Sequence, residues 1–128
     1  MPLHVVVGII INPLNQILIA QRLAHQEAAG VWEFPGGKVE ADESAYHALL
    51  RELKEEIGID VTSAEKWLEI SYQYPQKLVL LDTWMVKAFA GEPIGAEGQP
   101  IRWVAINELE SYTFPGGNKK IIEKLLLL

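Results

Sequence analysis

The sequence contains no cysteine, and this absence excludes several kinds of chemistry. Without cysteine there can be no disulfide, no thiolate metal site and no thiol nucleophile. The histidines at positions 4, 25 and 47 do not have the spacing of metal ligands. Catalytic or metal-binding groups must therefore come from other side chains. A cysteine-free chain fits a reducing compartment, and we expect this protein to be cytoplasmic.

Long apolar runs are also missing. No apolar segment approaches the ~20 residues that a membrane-spanning helix needs. Residues 1–11 are apolar, but they lack the basic leader and the small-residue cleavage site of a signal peptide. We therefore expect neither a membrane span nor an export signal.

Positive charge is scarce. The chain has 11 lysine and arginine residues against 17 aspartate and glutamate residues, which gives a formal net charge of −6. Proteins that bind polymeric nucleic acid usually have the opposite balance, because they neutralise phosphates. An acidic protein can still bind a polyphosphate when divalent cations bridge the two sets of negative charge. The composition argues against nucleic-acid polymers and leaves phosphorylated small molecules as candidate substrates.

The composition is otherwise that of an ordinary globular protein, with 49% hydrophobic residues in a chain of 128. This length fits one domain, residues 1–128, with a core of its own. Apolar, β-branched segments bounded by turn residues predict the strands of the fold. These predicted strands span residues 3–11, 16–22, 31–34, 66–74, 77–89 and 101–106.

Two helices complete the predicted fold. Apolar residues recur at every fourth position within residues 43–57, which predicts an amphipathic helix with Asp42 as its N-cap and Gly58 as the left-handed residue after its end. A second helix is predicted over residues 118–128, with Asn118 as a candidate N-cap and the terminal leucines packed on the core. The order of elements predicts an α+β fold, a mixed sheet with a helix on each face.

The first predicted helix contains Glu52, Glu55 and Glu56. Their i, i+3, i+4 spacing places them within an arc of about 100° at ~3.6 residues per turn. Like charges at this spacing repel each other, whereas carboxylate clusters are what hard divalent cations such as Mg²⁺ accept. Glu56 lies at the edge of the apolar stripe, which turns the cluster towards the protein.

Alternatively, these glutamates could form a solvated face with Arg51 and Lys54, paired at i, i+4. The loop before the helix favours the metal site instead. Its Gly36-Gly37 pair allows a metal or phosphate to approach the backbone closely, and Lys38 adds a mobile cation. Glu43, about two helical turns before Arg51, could pair with it and brace the loop against the helix.

These residues follow one another in a fixed order: Gly37, five residues, Glu43, seven residues, and then Arg51-Glu52-Leu53-Lys54-Glu55-Glu56-Ile57-Gly58-Ile59. This order is similar to the Nudix box at every specified position. Chance agreement has a probability of about 10⁻⁶ for a chain of ordinary composition. The chain therefore resembles the Nudix hydrolases, metal-dependent enzymes that cleave nucleoside triphosphates to monophosphates and pyrophosphate.

The resemblance implies a Nudix-type α/β/α sandwich with a strand-loop-helix metal site. It assigns the binding of Mg²⁺, or of Mn²⁺ in its place, to the Gly37 carbonyl and to Glu52, Glu55 and Glu56. We choose Glu52 as the general base for a water that attacks phosphorus, with Lys38 as an assisting cation. Crowded carboxylates raise one another's pKa until metal binds, so we expect activity to rise towards alkaline pH.

Outside the box, the chain resembles the MutT-type 8-oxo-dGTP diphosphatases of this family over nearly its full length. The resemblance implies that Glu97 is a further metal ligand or catalytic base, against the alternative of a loop carboxylate in solvent. It also implies hydrolysis of 8-oxo-dGTP, which cleans the nucleotide pool. The matching segments are Val7-Gly8-Ile9-Ile10, Glu33-Phe34-Pro35-Gly36-Gly37-Lys38, Glu97-Gly98-Gln99-Pro100 with Trp103, and Phe114-Pro115 with Asn118.

Asn118 is the predicted base-selecting residue. Guanine offers two acceptors, O6 and N7, on its Hoogsteen edge. In 8-oxoguanine N7 carries a hydrogen, so this edge offers one acceptor and one donor. An amide side chain has both a donor and an acceptor and can satisfy the oxidised edge while opposing the normal one. A role of Asn118 as N-cap could coexist with base selection.

The resemblance implies two more substrate contacts. Arg22 would reach O8 or a phosphate, and Phe34 would line the base pocket. The simpler alternatives are a strand-end arginine and core packing. For the partner we expect a small-molecule nucleoside triphosphate, and we expect the protein to be a monomer.

Two other functions stay open. Residues 21–22, 30–34 and 36–40 resemble CTP and oxidised-pyrimidine pyrophosphohydrolases as much as they resemble the MutT type, and Asn118 favours the oxidised purine. A non-catalytic Nudix-fold binding module is the alternative of another class. Such modules usually lack part of the glutamate set, whereas Glu52, Glu55, Glu56 and Glu97 are all present here.

Overall fold

The computed structural model describes residues 2–26 and 28–128. Strands dominate the fold, with one α-helix in the first half of the chain and one at its end. A 3₁₀ helix, Ile106–Ser111, which the sequence did not predict, precedes the last helix. The elements are β1 (Leu3–Ile10), β2 (Gln16–Gln21), β3 (Trp32–Glu33), β4 (Gly36–Lys38), α1 (Ala45–Ile57), β5 (Asp60–Tyr74), β6 (Lys77–Ala90), β7 (Ile101–Ala105) and α2 (Gly116–Leu125).

The strands form two sheets. The larger sheet has the order β4-β1-β6-β5, and the smaller has the order β3-β2-β7. In the larger sheet β1 runs parallel to β6, β4 is antiparallel to β1, and β5 is antiparallel to β6. Val6 of β1 lies between Gly37 on one side and Asp82 on the other. This register places the glycine segment of β4 beside the buried centre of the sheet.

The side chains of β1 alternate between two halves of the core, one on each face of the sheet. Val7 and Ile9 belong to the cluster that contains Ile121 of α2, while Val6 belongs to the cluster that contains Leu53 of α1. Successive side chains of a strand point to opposite faces, so the two helices lie on opposite sides of the sheet. Each fully buried Leu, Ile or Val contributes ~1.5–3 kcal/mol to this packing. The predicted α+β sandwich with a mixed sheet is confirmed.

Helix α1 begins at Ala45 rather than at residue 43, and Asp42 is not its N-cap. Ser44 is the N-cap, and its Oγ accepts the N–H of His47 at 3.1 Å. This bond satisfies one of the N–H groups that the first turn leaves free. Asp42 instead adopts a φ of 64° in the preceding turn. The prediction for Gly58 is confirmed, since it has a φ of 70° and its N–H donates to the Lys54 carbonyl.

Two strand predictions were wrong in extent. Gly36–Lys38, where no strand was predicted, forms β4, because Gly36 can pair with β1 where a side chain would overlap the Val6 carbonyl. β5 begins at Asp60 rather than at residue 66. Register shifts between Val61 and Ser63 and between Lys66 and Leu68 interrupt its alternation, so the first part of the strand lacks the period of two that predicts a strand.

Two predictions at the C-terminal end were also wrong. Helix α2 begins after Pro115, so Asn118 lies within its first turn and is not the N-cap. The helix ends at Leu125, which is buried, whereas Leu126, Leu127 and Leu128 are 41%, 79% and 74% exposed and do not pack on the core. In the part of the chain that the structure describes, neither helix has the length and apolar character of a membrane span.

Candidate active site

A cavity of about 860 Å³ is lined by β1, β4, α1, the β5–β6 turn and the start of α2. Its volume suits a small molecule of nucleotide size. Glu55 is not at its wall, because this side chain is 56% exposed and pairs with Arg51. The structure brings the other predicted site residues to the cavity: Arg22, Phe34, Gly37, Lys38, Glu52, Glu56, Glu97 and Asn118.

Glu56 is the most deeply buried carboxylate of the α1 cluster. Its Oε2 accepts the N–H of Gly36 at 3.0 Å. The pKa of the Glu56 carboxyl group is raised to about 8: burial raises it most, the Gly36 hydrogen bond lowers it, and the negative charges of Glu33, Glu97 and Glu52 raise it. The charged form of Glu56 is therefore costly unless a cation binds nearby.

The loop between β6 and β7 carries Glu97 to the same place. Two donors of this loop bind the Glu56 carbonyl, the Ala96 N–H at 3.1 Å and the Gln99 Nε2 at 2.8 Å. The Oε1 of Gln99 in turn accepts the N–H of Glu97 at 2.9 Å. A carboxylate distant in sequence is thereby fixed beside the glutamates of α1.

Gly37 lies on β4 directly against Glu52. A Cβ at this position would overlap the Glu52 carboxyl group, so the approach requires glycine. Burial raises the pKa of Glu52, the hydrogen bond and charge of Arg51 lower it, and the charges of Glu55 and Glu97 raise it. The Gly37 backbone and the Glu52 carboxylate are therefore held together in a partly desolvated position.

Arg51 joins the loop after β4 to helix α1. Its predicted pair with Glu43 is present, with Nε 2.7 Å from Oε2 and Nη2 3.0 Å from Oε1. The Arg51 hydrogen bond holds the pKa of Glu43 at about 2. The same guanidinium donates to the Lys38 carbonyl at 3.0 Å, to Glu52 at 2.9 Å and to Glu55 at 3.2 Å. Arg51 thus orients two of the glutamates and offsets part of their charge.

The donor set fits a hard divalent cation, because it consists of carboxylate and carbonyl oxygens. In the described part of the chain, no three acidic or imidazole side chains already converge into a ligand set. Arg51 holds Glu52 and Glu55, and the Gly36 N–H holds Glu56. The raised pKa of Glu56 marks a position where added positive charge would stabilise the site. Gly37, Glu52, Glu56 and Glu97 fit the cation in chemistry and position, whereas Glu55 would have to rotate from Arg51 towards the cavity to join them.

Asn118 lies at another wall of the cavity and is only 9% exposed. Its Oδ1 accepts the backbone N–H of Phe34 at 3.1 Å. Because an N–H can be accepted only by the oxygen of the amide, this contact fixes which way the amide faces. The Phe34 ring is buried and stacks on Phe114 with ring centroids 5.3 Å apart. Phe34 therefore packs in the core and lines the cavity as well.

Glu33 also lines the cavity, although it was not among the site residues predicted from the sequence. The Nη1 of Arg22 lies 3.0 Å and 3.2 Å from its two carboxylate oxygens. Burial raises the pKa of Glu33, Arg22 lowers it, and the charge of Glu97 raises it. A carboxylate between the large apolar residues Trp32 and Phe34 was the signal in the sequence that could have identified it.

A carboxylate cluster beside a nucleotide-sized cavity is an arrangement that suits metal-dependent hydrolysis of a phosphorylated substrate. The NUDIX domain model matches residues 6–124, and the chain belongs to the Nudix family. Nudix hydrolases in general need a divalent metal, so the enzyme class and its metal dependence are those of the family.

Named relatives resemble the chain over almost its whole length. An 8-oxo-dGTP diphosphatase of Haemophilus influenzae is 44% identical over 124 residues, which cover 97% of this chain and 91% of the relative. A CTP pyrophosphohydrolase of Escherichia coli is 37% identical over 123 residues, which cover 96% and 91%. A solved structure from work on MutT of Aliivibrio salmonicida and Vibrio cholerae has a TM-score of 0.86 and 41% identity, and the match covers 99% of this chain and 98% of that one.

Proposed function

We propose that this protein hydrolyses 8-oxo-dGTP to 8-oxo-dGMP and pyrophosphate, and so removes an oxidised purine nucleotide from the pool. The observation that carries the proposal is the buried Asn118 amide, fixed in one orientation at the wall of the cavity that also contains the α1 glutamates. The 44% identity to the Haemophilus influenzae enzyme supports it. On this proposal the protein acts as a monomer in the cytoplasm.

The orientation of Asn118 suits the oxidised base. With Oδ1 held by the Phe34 N–H, the Nδ2 group offers donors to O6, and the second lone pair of Oδ1 accepts the hydrogen on N7. Unoxidised guanine presents an N7 lone pair to the same oxygen. A mismatched buried polar pair costs ~1–3 kcal/mol, a factor of ten to a hundred or more in binding. Recognition therefore depends on one amide with a defined direction.

At the phosphate end, a divalent cation would, when bound, lower the pKa of a water molecule and shield the charge that develops on the phosphoryl oxygens. Glu52 accepts the proton of the water whose oxygen attacks a phosphorus of the α–β anhydride. The new P–O bond replaces the bridging P–O bond, so the monophosphate and pyrophosphate separate. We infer Mg²⁺ as the ordinary metal, with Mn²⁺ able to replace it. The residues that would hold the metal are Gly37 through its carbonyl, Glu52, Glu55, Glu56 and Glu97.

Cations of the chain assist the phosphate end of the site. Lys38 is exposed at the cavity wall and can neutralise charge on the departing pyrophosphate. Arg22 also lines the cavity, where it reaches a phosphate or O8 of the base. Its hydrogen bonds to Glu33 hold the guanidinium in place for this contact.

A second candidate function is the hydrolysis of CTP or an oxidised pyrimidine nucleotide. The 37% identity to the Escherichia coli CTP pyrophosphohydrolase supports this alternative. Asn118 favours the purine, because its donor and acceptor match the O6 and N7–H of 8-oxoguanine. The two functions share the same phosphate chemistry and differ only at the base.

The proposal is tested by kcat/KM for 8-oxo-dGTP, dGTP and CTP with excess Mg²⁺, on the wild type, Asn118→Ala and Asn118→Asp. We expect 8-oxo-dGTP to exceed dGTP by at least about a hundredfold in the wild type, which corresponds to ~3 kcal/mol. Both variants should lose most of this ratio and keep turnover of dGTP, because the glutamates are unchanged.

The aspartate variant is the matched control for structure. It keeps an oxygen for the Phe34 N–H and replaces the NH₂ donor by a carboxylate oxygen, which also adds a negative charge, whereas alanine removes both donor and acceptor. If CTP leads in the wild type, the pyrimidine function replaces our proposal. Release of no pyrophosphate from any of the three substrates would indicate a binding module.

A further inference from the structure

Helix α2 begins at a position where its own sequence provides little support. Its N-cap is Pro115, which makes no side-chain capping hydrogen bond. The two residues that follow are Gly116 and Gly117, and glycine costs ~1 kcal/mol relative to alanine within a helix. The first N–H groups of a helix also lack partners within the helix. Groups outside α2 must therefore hold its first turn.

Tyr74, at the end of β5, provides such a group. Its hydroxyl oxygen accepts the N–H of Gly117 at 2.9 Å, which gives the helix start a capping partner 43 residues away in sequence. The ring of Tyr74 lies 4.8 Å from that of Tyr72, centroid to centroid. A Cβ on Gly117 would lie 2.7 Å from Cδ1 of Leu81 and 2.9 Å from the Tyr74 hydroxyl oxygen. The absence of a side chain is thus what lets the helix start rest on the sheet.

The next residue along the helix is Asn118, whose amide is held by a backbone contact to Phe34 among the residues that the structure describes. Its Oδ1 must stay within hydrogen-bond distance of the Phe34 N–H, which is 3.1 Å away. A shift of the first turn of α2 would move this oxygen relative to β3 and β4. Tyr74 and Asn118 both line the cavity, so the Tyr74 hydroxyl lies close to the wall where Asn118 would contact the base.

We propose that Tyr74 is a positioning residue for base selection: its hydroxyl caps Gly117, which fixes the first turn of α2 and thereby the direction of the Asn118 amide. This inference rests on the proposed function of Asn118. Tyr74 acts through the backbone of α2 and need not touch the substrate. The carboxylates of α1 lie on the other helix, so their chemistry does not depend on this bond.

The test compares Tyr74→Phe with Tyr72→Phe. The first removes the hydroxyl that accepts the Gly117 N–H and keeps the ring; the second removes a neighbouring hydroxyl that contacts Gly116. For Tyr74→Phe we expect the ratio of kcat/KM for 8-oxo-dGTP over dGTP to fall roughly three- to tenfold, the effect of one lost hydrogen bond, because kcat/KM for 8-oxo-dGTP falls more than that for dGTP. Tyr72→Phe should keep the wild-type ratio. An equal loss for both substrates in Tyr74→Phe, or an unchanged ratio, would overturn the inference.

A second measurement separates this inference from the proposed function. Amide hydrogen exchange by NMR, without substrate, should show faster exchange at Gly117 and at Phe34 in Tyr74→Phe than in the wild type and in Tyr72→Phe. The Phe34 amide reports on Asn118, because Asn118 is its acceptor. If the wild type does not prefer 8-oxo-dGTP, the proposed function fails, and the exchange at Phe34 still decides the positioning role. Unchanged exchange at Phe34 would overturn that role whatever the substrate is.

Discussion

The sequence Phe-Pro-Gly-Gly occurs twice, at residues 34–37 and 114–117, and the two copies have different structures. The first copy leads into strand β4, whereas the second begins helix α2. The two phenylalanine rings stack at 5.3 Å, so both copies start from the same part of the core. Identical local sequence therefore does not decide between strand and helix here; the neighbouring elements do.

The two copies also differ in what accepts their N–H groups. Gly36 donates to the Glu56 carboxylate at 3.0 Å, and Gly117 donates to the Tyr74 hydroxyl at 2.9 Å. Burial raises the pKa of Glu56 to about 8, within the range where enzymes work, whereas the pKa of Tyr74 is raised by burial above its ordinary value of 10.0. The acceptor in the first copy, the Glu56 carboxyl group, can change charge near neutral pH, whereas the acceptor in the second copy, the Tyr74 hydroxyl, stays neutral there. The first is suited to chemistry and the second to recognition.

The largest expected effect comes from Gly37→Ala in the first copy. A methyl group here would overlap the Glu52 carboxyl group, which can rotate away because it is the end of a flexible side chain. We expect kcat to fall by about 10²-fold or more, since misplacing a catalytic group by about 1 Å has this effect. Steady-state turnover of 8-oxo-dGTP at saturating Mg²⁺ measures this fall in kcat. The melting temperature shows whether the folded protein is also destabilised.

Gly36→Ala is the matched variant for Gly37→Ala. Its methyl group would overlap the backbone carbonyl of Val6 on β1, which cannot move without breaking the strand pair. We therefore expect a large loss of thermal stability for Gly36→Ala and only a small one for Gly37→Ala. If Gly37→Ala lost as much stability as Gly36→Ala, the glycine would be required for folding and not for the approach of Glu52.

Much of the fold could be predicted from local patterns. Helix α1 and strands β1 and β6 were predicted close to their true bounds. Their apolar residues recur with the spacing that buries one face of a helix or the side chains of a strand. The errors came where tertiary contacts decide. Whether Asp42 or Ser44 caps α1 depends on a left-handed turn at Asp42, and β4 forms because glycine fits beside β1. Neither condition can be read from residue type alone.

The site was predictable where several residues occur together in a fixed order. Of the residues predicted from this order to hold the metal, Gly37, Glu52 and Glu56 line the cavity and Glu55 does not; Arg51 and Glu43 lie behind them as a pair. Glu33 and Tyr74 were missed, because their significance lies in contacts with Arg22 and Gly117. Such long-range pairs leave no periodic trace in a single sequence. The N-cap expected at Asn118 failed for a similar reason, since Tyr74 supports the helix start instead.

The prediction of intermediate size concerns pH. Stability should depend on pH near neutrality through Glu56, the acceptor in the first copy, and not through Tyr74, the acceptor in the second. The folded-state pKa of Glu56 is raised to about 8 from an ordinary value of 4.5, so between these values the folded protein binds more protons than the unfolded chain. Stability is then fully present below the unfolded pKa and falls as pH rises through the folded one, by up to about 1.4 kcal/mol per pH unit. Urea unfolding of the metal-free protein from pH 5 to 8.5 measures this slope.

Two controls define the source of that slope. Glu56→Gln cannot ionise and should lose most of the dependence, and saturating Mg²⁺ should reduce it, because a cation favours the charged carboxylate. At limiting Mg²⁺, kcat/KM should rise towards pH 8 while the ratio for 8-oxo-dGTP over dGTP stays constant from pH 6 to 8. A wild-type slope in Glu56→Gln would assign the titration to another group, such as Glu52 or Glu33.

The smallest expected effect comes from Gly117→Ala in the second copy. Alanine favours a helix by ~1 kcal/mol relative to glycine, but its methyl group would lie 2.7 Å from Cδ1 of Leu81 and 2.9 Å from the Tyr74 hydroxyl oxygen. These atoms belong to side chains that can shift slightly, so the two contributions nearly cancel and the melting temperature should change by only about 3 °C. The shift would loosen the contact to Tyr74, and we expect the ratio of kcat/KM for 8-oxo-dGTP over dGTP to fall about two- to threefold with dGTP turnover unchanged. If Gly117→Ala abolished turnover as Gly37→Ala should, the second copy would take part in the chemistry, and the division between chemistry and recognition would be wrong.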